Sequence, residues 1–287
     1  MNNKYTFPAL LLLTAIVVGI VIKLSGSNIA LLDSAGEIAL RERSLLFFAT
    51  ALMFVIGFVI YAFTLVIAWR YRAENTKARY TPNWEHSRFD EFVWWLVPSI
   101  VIFFLALITW TSSHALDPFR PLQSGAPTLT IQAVALPWKW LFIYREAGVA
   151  SVNYVQLPAL TPIKFEITGD APMNSFWIPR LGGQIYAMTG MKSQLHLIAD
   201  KTGDYEGSSA NYSGSGFSGM RFVARVTSAE DFSSWAQSLS TSSYPALTME
   251  AYDALARPSE NTPVSYYSSV EKGLYTRTIG KFMGHSR

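Results

Sequence analysis

Half of the 287 residues are hydrophobic, only 15% are charged, and the mean hydropathy is +0.21, so attachment to a membrane is the first expectation. The formal charge of +3 comes without any run of Lys and Arg interleaved with aromatics, which excludes nucleic acid as a partner. Cysteine is absent, removing disulfides, thiolate metal sites, thiol nucleophiles and thioether-linked lipid together; the four histidines, His86, His114, His196 and His285, are scattered without metal-ligand spacing.

Three apolar stretches occupy the first 115 residues. Residues 1–27 hold a lone Lys4, an apolar run from Phe7 to Ile22, then Lys23 and the small residues LSGS, the build of a signal peptide. Leu24, Ser25 and Gly26 resemble a bacterial lipobox, but Ser27 stands where lipid needs Cys, so the segment is either cut by an ordinary signal peptidase or kept as a membrane helix. Residues 28–116 are expected to form a transmembrane hairpin. Leu45 to Trp69 runs 25 residues without a charge, ~37 Å as a helix, enough to cross ~30 Å of hydrocarbon. Phe92 to Ser113 is similar, and Pro98 is expected to bend it because it has no N–H to bond back one turn. Both runs are apolar on every face, and Trp69, Trp94, Trp95 and Trp110 stand near their ends as interfacial anchors. The loop between them carries Arg70, Arg72, Lys77, Arg79 and Arg88, which keeps it cytoplasmic and places everything after His114 in the periplasm or outside the cell.

A linker, residues 117–127, holds three prolines and separates the hairpin from a domain of different texture. Over residues 128–227 short alternating segments recur: TLTIQAVA (Thr128 to Ala135), IKFEIT (Ile163 to Thr168) and GMRFVARV (Gly219 to Val226), with further candidates at 141–144, 152–157, 174–178 and 192–198. The pattern predicts a small antiparallel sandwich or barrel. In residues 228–287, Ser228 with Asp231 reads as a capping box before the helically spaced Phe232, Trp235 and Leu239, and a second short helix is expected from Thr248 to Ala256. Tyr266, Tyr267, Tyr275 and Phe282 then stand in a mostly polar tail, to pack back on the sandwich or to dock a partner.

Two spans with a cytoplasmic turn, the aromatic block PWKWLFIY (137–144), the segment MNSFWIPRLGGQIYAM (173–188) and the loop GSSANYSGSGFSGM (207–220) together resemble subunit II of the haem-copper respiratory oxidases over nearly the whole chain. The resemblance implies a membrane hairpin carrying a cupredoxin-like sandwich. In the cytochrome c oxidase branch the loop reads C-x-E-x-C-x-x-x-H-x-x-M, with another His before S-F-W, and holds a dinuclear copper centre. Here the Cys places carry Ser209 and Ser213, the Glu place Asn211, the loop His Phe217 and the upstream His Asn174; only Met220 remains. A mixed-valence copper pair needs bridging thiolates and imidazoles, while a lone thioether is a weak neutral ligand, so Met220 is expected to be core.

The chain therefore resembles the quinol oxidase branch, of the cytochrome bo type, whose helical, aromatic-rich extension corresponds to Ala229 to Met283. The resemblance implies a proton-pumping oxidase of the bacterial inner membrane. By the same resemblance the haems, catalytic copper and quinol site are expected in subunit I, with this chain as a scaffold without a metal or catalytic centre of its own. It also implies that Glu91, in DEFVWWLVP, stands near the cytoplasmic mouth of a proton channel into subunit I; with Asp90 it equally suits the negative preference of a helix N-terminus. Trp138 and Trp140 are expected in packing or subunit contacts, His196 on the solvated face of its strand, and His114 at the membrane interface. The competing function is a membrane-tethered periplasmic sandwich that binds a ligand outside any oxidase, since the chain alone shows no catalytic constellation.

Overall fold

The computed structural model describes residues 29–283 apart from 80, 82 and 84, with residues 12, 13, 15–17, 19–21 and 23 before them. The choice between cleavage and retention of the first apolar stretch, and His285, lie outside the described residues.

Two long helices follow, α1 (Glu37–Arg70) and α2 (Arg88–Ala115). Both are long and apolar enough to span a membrane, and α2 buries none of its side chains within the chain. Ser87 caps α2 by accepting from the Asp90 N–H at 3.3 Å, and the helix continues unbroken through Pro98. At 34 residues, α1 is ~51 Å long, well beyond the hydrocarbon thickness. Its first turns, which the apolar run did not include, meet the sandwich: Ile38 joins its core, and Gly36 just before the helix bridges to Ala199. Helix and sandwich are thus joined by packing as well as by chain.

The extramembrane part is a cupredoxin-like sandwich. One sheet has six strands, ordered β12 (Ser265–Tyr267), β3 (Val149–Val152), β2 (Lys139–Tyr144), β1 (Leu129–Leu136), β5 (Ile163–Gly169) and β8 (Ser193–Leu197). The other has five: β4 (Tyr154–Pro158), β10 (Arg221–Thr227), β9 (Gly203–Ser209), β6 (Asn174–Trp177) and β7 (Ile185–Ala187). The sandwich is not wholly antiparallel: β1 runs parallel to β5, and β4 to β10. Alternation within a strand fixes its buried face but carries no information about direction. Between the sheets lies an aromatic core, in which the Phe176 and Phe222 rings stack at 5.3 Å and Trp140 meets Phe176 edge-on at 5.3 Å.

Beyond β10 the chain forms α3 (Ala229–Thr241), β11 (Ala246–Leu247), α4 (Met249–Leu255), β12, β13 (Ser269–Val270) and α5 (Leu274–Met283). Ser228 caps α3, accepting from the Asp231 N–H at 3.0 Å. Trp235 of α3 packs edge-on against Tyr144 at 5.1 Å. A second core forms on the outer face of the six-stranded sheet, where Val134, Leu136, Leu141 and Ile143 meet Leu247, Tyr252, Leu274 and Tyr275. This is why β1 and β2 are apolar on both faces: the extension covers one of them. Of the tail aromatics, Tyr275 is buried and Tyr266 and Tyr267 pair with β3 through β12, while Phe282 stays exposed.

Candidate functional site

The loop 207–220 joins β9 to β10 and closes with a 3₁₀ turn at Ser215–Gly219. β6 pairs with β9 through Phe176 and Ser209, so Asn174, two residues before Phe176, starts the strand that flanks the loop. Ser209 and Met220 close its neck, the Ser209 N–H donating to the Met220 carbonyl at 3.2 Å. Met220 is 1% exposed and belongs to the aromatic core, its thioether among side chains rather than at the surface.

Each remaining position is held by a local contact. The Trp140 indole N–H donates to Ser209 Oγ at 3.2 Å, and Ser175 Oγ donates to Asn211 Oδ1 at 2.8 Å. The Trp138 indole N–H donates to the Ser213 carbonyl at 3.1 Å. Phe217 packs edge-on against the exposed Tyr212 at 5.7 Å. Asn174 is fully buried; its amide N–H donates to the Pro172 carbonyl at 3.4 Å while its Oδ1, like Ser213 Oγ, has no partner. Ser209, Phe217 and Met220 line an open cavity of about 670 Å³ together with Arg180, Asp204 and Glu206. Asp204 is clasped by Arg225 through two bonds of 2.6 and 2.7 Å, which hold its carboxyl below the usual carboxylate range.

These residues do not fit a dinuclear copper centre. Serine hydroxyls are hard and stay protonated near neutral pH, and one of them already accepts the Trp140 proton; the Asn174 amide and the Phe217 ring offer no imidazole. Within the described residues no three His, Cys, Asp or Glu side chains come together in a metal-binding group.

Glu91 lies far from this loop, in the first turn of α2, 60% exposed, with Oε1 3.6 Å from His86 Nδ1. His114 Nδ1 donates to the Trp110 carbonyl at 2.8 Å near the other end of that helix. The structure corrects the expectation for His196. It is 5% exposed, not solvated, because the linker folds over its strand; Nδ1 donates to the Pro118 carbonyl at 2.9 Å, and a carbonyl can only accept. Trp140 is fully buried and Trp138 half-buried against the loop. Ser175 and the residues around Glu260 that touch the loop went unread in the sequence, since nothing local marks a contact made across the fold.

The family profile described as Cytochrome C oxidase subunit II, periplasmic domain, matches residues 146–227, and that described as COX Aromatic Rich Motif matches residues 242–286. The cytochrome bo(3) ubiquinol oxidase subunit 2 of Pseudomonas putida is 47% identical over 264 residues, covering 92% of this chain and 84% of that protein. The protein of the same name from Pseudomonas aeruginosa is 48% identical over 263 residues, covering 91% and 79%. The ubiquinol oxidase subunit 2 of Acetobacter aceti is 46% identical over 261 residues, covering 90% and 84%.

Proposed function

The chain belongs to the subunit 2 family of ubiquinol oxidases, and from that membership we propose that its own part in the enzyme is to scaffold the complex and help admit protons, not to carry electrons. It is a membrane-anchored subunit of an oxidoreductase. The observation that carries the proposal is the pair Ser209 and Ser213, standing where bridging thiolates would be needed to take an electron from a soluble donor. Electrons then enter from ubiquinol within the membrane. The haems, the copper and the quinol site lie in subunit I of a bacterial inner-membrane complex, where oxygen is reduced to water.

The hairpin supports the placement against such a partner. Its apolar side chains are exposed on every face, which only lipid or other membrane helices can cover. Oxygen consumption by the purified complex tests the electron route. Ubiquinol is expected to sustain turnover and reduced cytochrome c to give none; turnover with cytochrome c at a comparable rate would overturn it.

Glu91 has two roles open to it from its position. At the cytoplasmic end of α2, beside His86, it is an exposed carboxylate at the mouth of the membrane, suited to collecting protons for the complex. It also stands where the helix dipole favours negative charge whatever its function. In a Glu91→Gln complex we expect quinol-driven oxygen reduction and proton pumping to fall together. Unchanged values for both would remove the proton-entry role and leave the helix-terminal one.

A further inference from the structure

A loop that ligates metal ions is fastened by them, because the binding free energy is also folding free energy. The loop 207–220 has no such fastening, and its Gly and Ser residues carry high conformational entropy. Something else must order it.

Residues 255–262, which join α4 to β12, cross directly over it. Ser215 Oγ donates to Glu260 Oε1 at 2.8 Å. A Cβ on Gly216 would stand 2.6 Å from the Trp138 ring and 2.9 Å from Glu260 Cγ, so this position needs glycine, and one on Gly219 would stand 2.5 Å from Asn261 Oδ1, which would have to shift. Trp138 itself sits in the left-handed region at φ 61°, with its indole lying on the loop and bonded to the Ser213 carbonyl. Asn261, at φ 50°, makes the sharp turn that brings the crossing segment down.

The crossing segment is in turn tied to the sandwich from below. Lys139, 2% exposed, donates all three ammonium protons: to the Leu255 carbonyl at 2.9 Å, the Arg257 carbonyl at 2.8 Å and Ser259 Oγ at 2.5 Å. Asn153 Nδ2 donates to the Thr262 carbonyl at 2.8 Å. The strap is therefore anchored at both ends, with the loop and Trp138 beneath it.

We propose that this strap, the part of the C-terminal extension from Leu255 to Thr262, is the fastener of the loop, holding by packing and hydrogen bonds a turn that metal ions hold in copper-bearing chains. The proposal rests on the loop carrying no copper. It gives the aromatic-rich extension a task at the loop, beyond covering the sheet. It also means that the strap covers the side of the loop at Ser215, Gly216 and Gly219, while Tyr212 stays exposed.

Amide hydrogen exchange on the intact detergent-solubilised complex tests it. Removing the strap's grip with Glu260→Ala and Asn261→Gly together is expected to speed exchange of the amides in 210–219 about tenfold while β5 and β8 keep wild-type protection. Glu260→Gln with Asn261 intact, which keeps an acceptor for Ser215, is expected to stay near wild type. Gly216→Val, which wedges the strap away from Trp138, provides the same readout by a second route. Wild-type loop protection in both the double variant and Gly216→Val would overturn the strap. A separate arm treats wild-type complex with a copper chelator. Loop exchange is expected not to change, and acceleration there would overturn the metal-free reading of the loop instead.

Discussion

The Trp140 to Ser209 hydrogen bond shows how a serine hydroxyl becomes part of an aromatic core. A buried indole needs an acceptor, and Ser209 Oγ supplies it at 3.2 Å. Ser209→Ala is expected to lower stability by about 1–2 kcal/mol, the cost of leaving the indole N–H unpaired, measured by denaturant unfolding; no change would mean that water serves equally well. Glu166 makes a second residue-level case. It is 6% exposed; burial pushes its carboxyl up, but bonds from Gln132, Lys192 and Lys164 outweigh that and hold it below its ordinary 4.5. A depressed carboxylate contributes stability above 4.5 and loses it as pH falls through the folded value. Below pH 4.5 the unfolding temperature of the wild type should therefore fall more steeply than that of Glu166→Gln, and parallel curves would contradict it. The five loop positions and Asn174 before Ser-Phe-Trp stood out only through the family resemblance, not through anything their own spacing shows. Lys139 did not stand out at all: in PWKWLFIY a lysine reads as the polar face of a strand, whereas here carbonyls 116 and 118 residues away receive it.

At the scale of elements, α1 carries more than its apolar run announces. Its first turns are mixed in composition, EIALRERS, so hydropathy stopped the span at Leu45, yet Ile38 packs into the sandwich and Arg43 bonds the Leu32 carbonyl at 2.9 Å. Ile38→Ala is expected to cost about 2 kcal/mol, the low end for a core truncation because it lies at the edge of the core, read as a lower unfolding temperature of the sandwich; an unchanged temperature would show that the junction bears no load. β9 escaped the sequence because GDYEGSS has two glycines and no apolar alternation; its signal lay in Asp204 and Glu206 matching Arg225 and Arg221 of β10. α5 escaped as well. It is only ten residues long in a mostly polar tail, although Leu274, Tyr275 and Ile279 share one face and pack into the second core; Lys281 adds pairs with Asp253 at 2.6 Å and Asp170 at 3.3 Å, beside the bond from Tyr252 to Asp170 at 2.7 Å.

For the whole molecule, the hairpin, the sandwich and the extension each follow from a different physical signal. Span length and uniform apolarity gave the first, period-two alternation the second, and the capping box at Ser228 part of the third. Strand direction and the route of the extension over the loop depend on contacts between segments far apart in sequence, which a single chain does not display. The assembled reading is an oxidase subunit whose cupredoxin-like domain carries a loop without a copper-binding ligand set. Equilibration of the full-length chain in detergent with copper, followed by metal analysis and absorption spectroscopy, examines that reading most directly. Less than stoichiometric copper and no mixed-valence absorption are expected; two tightly held copper ions per chain with such a spectrum would contradict it.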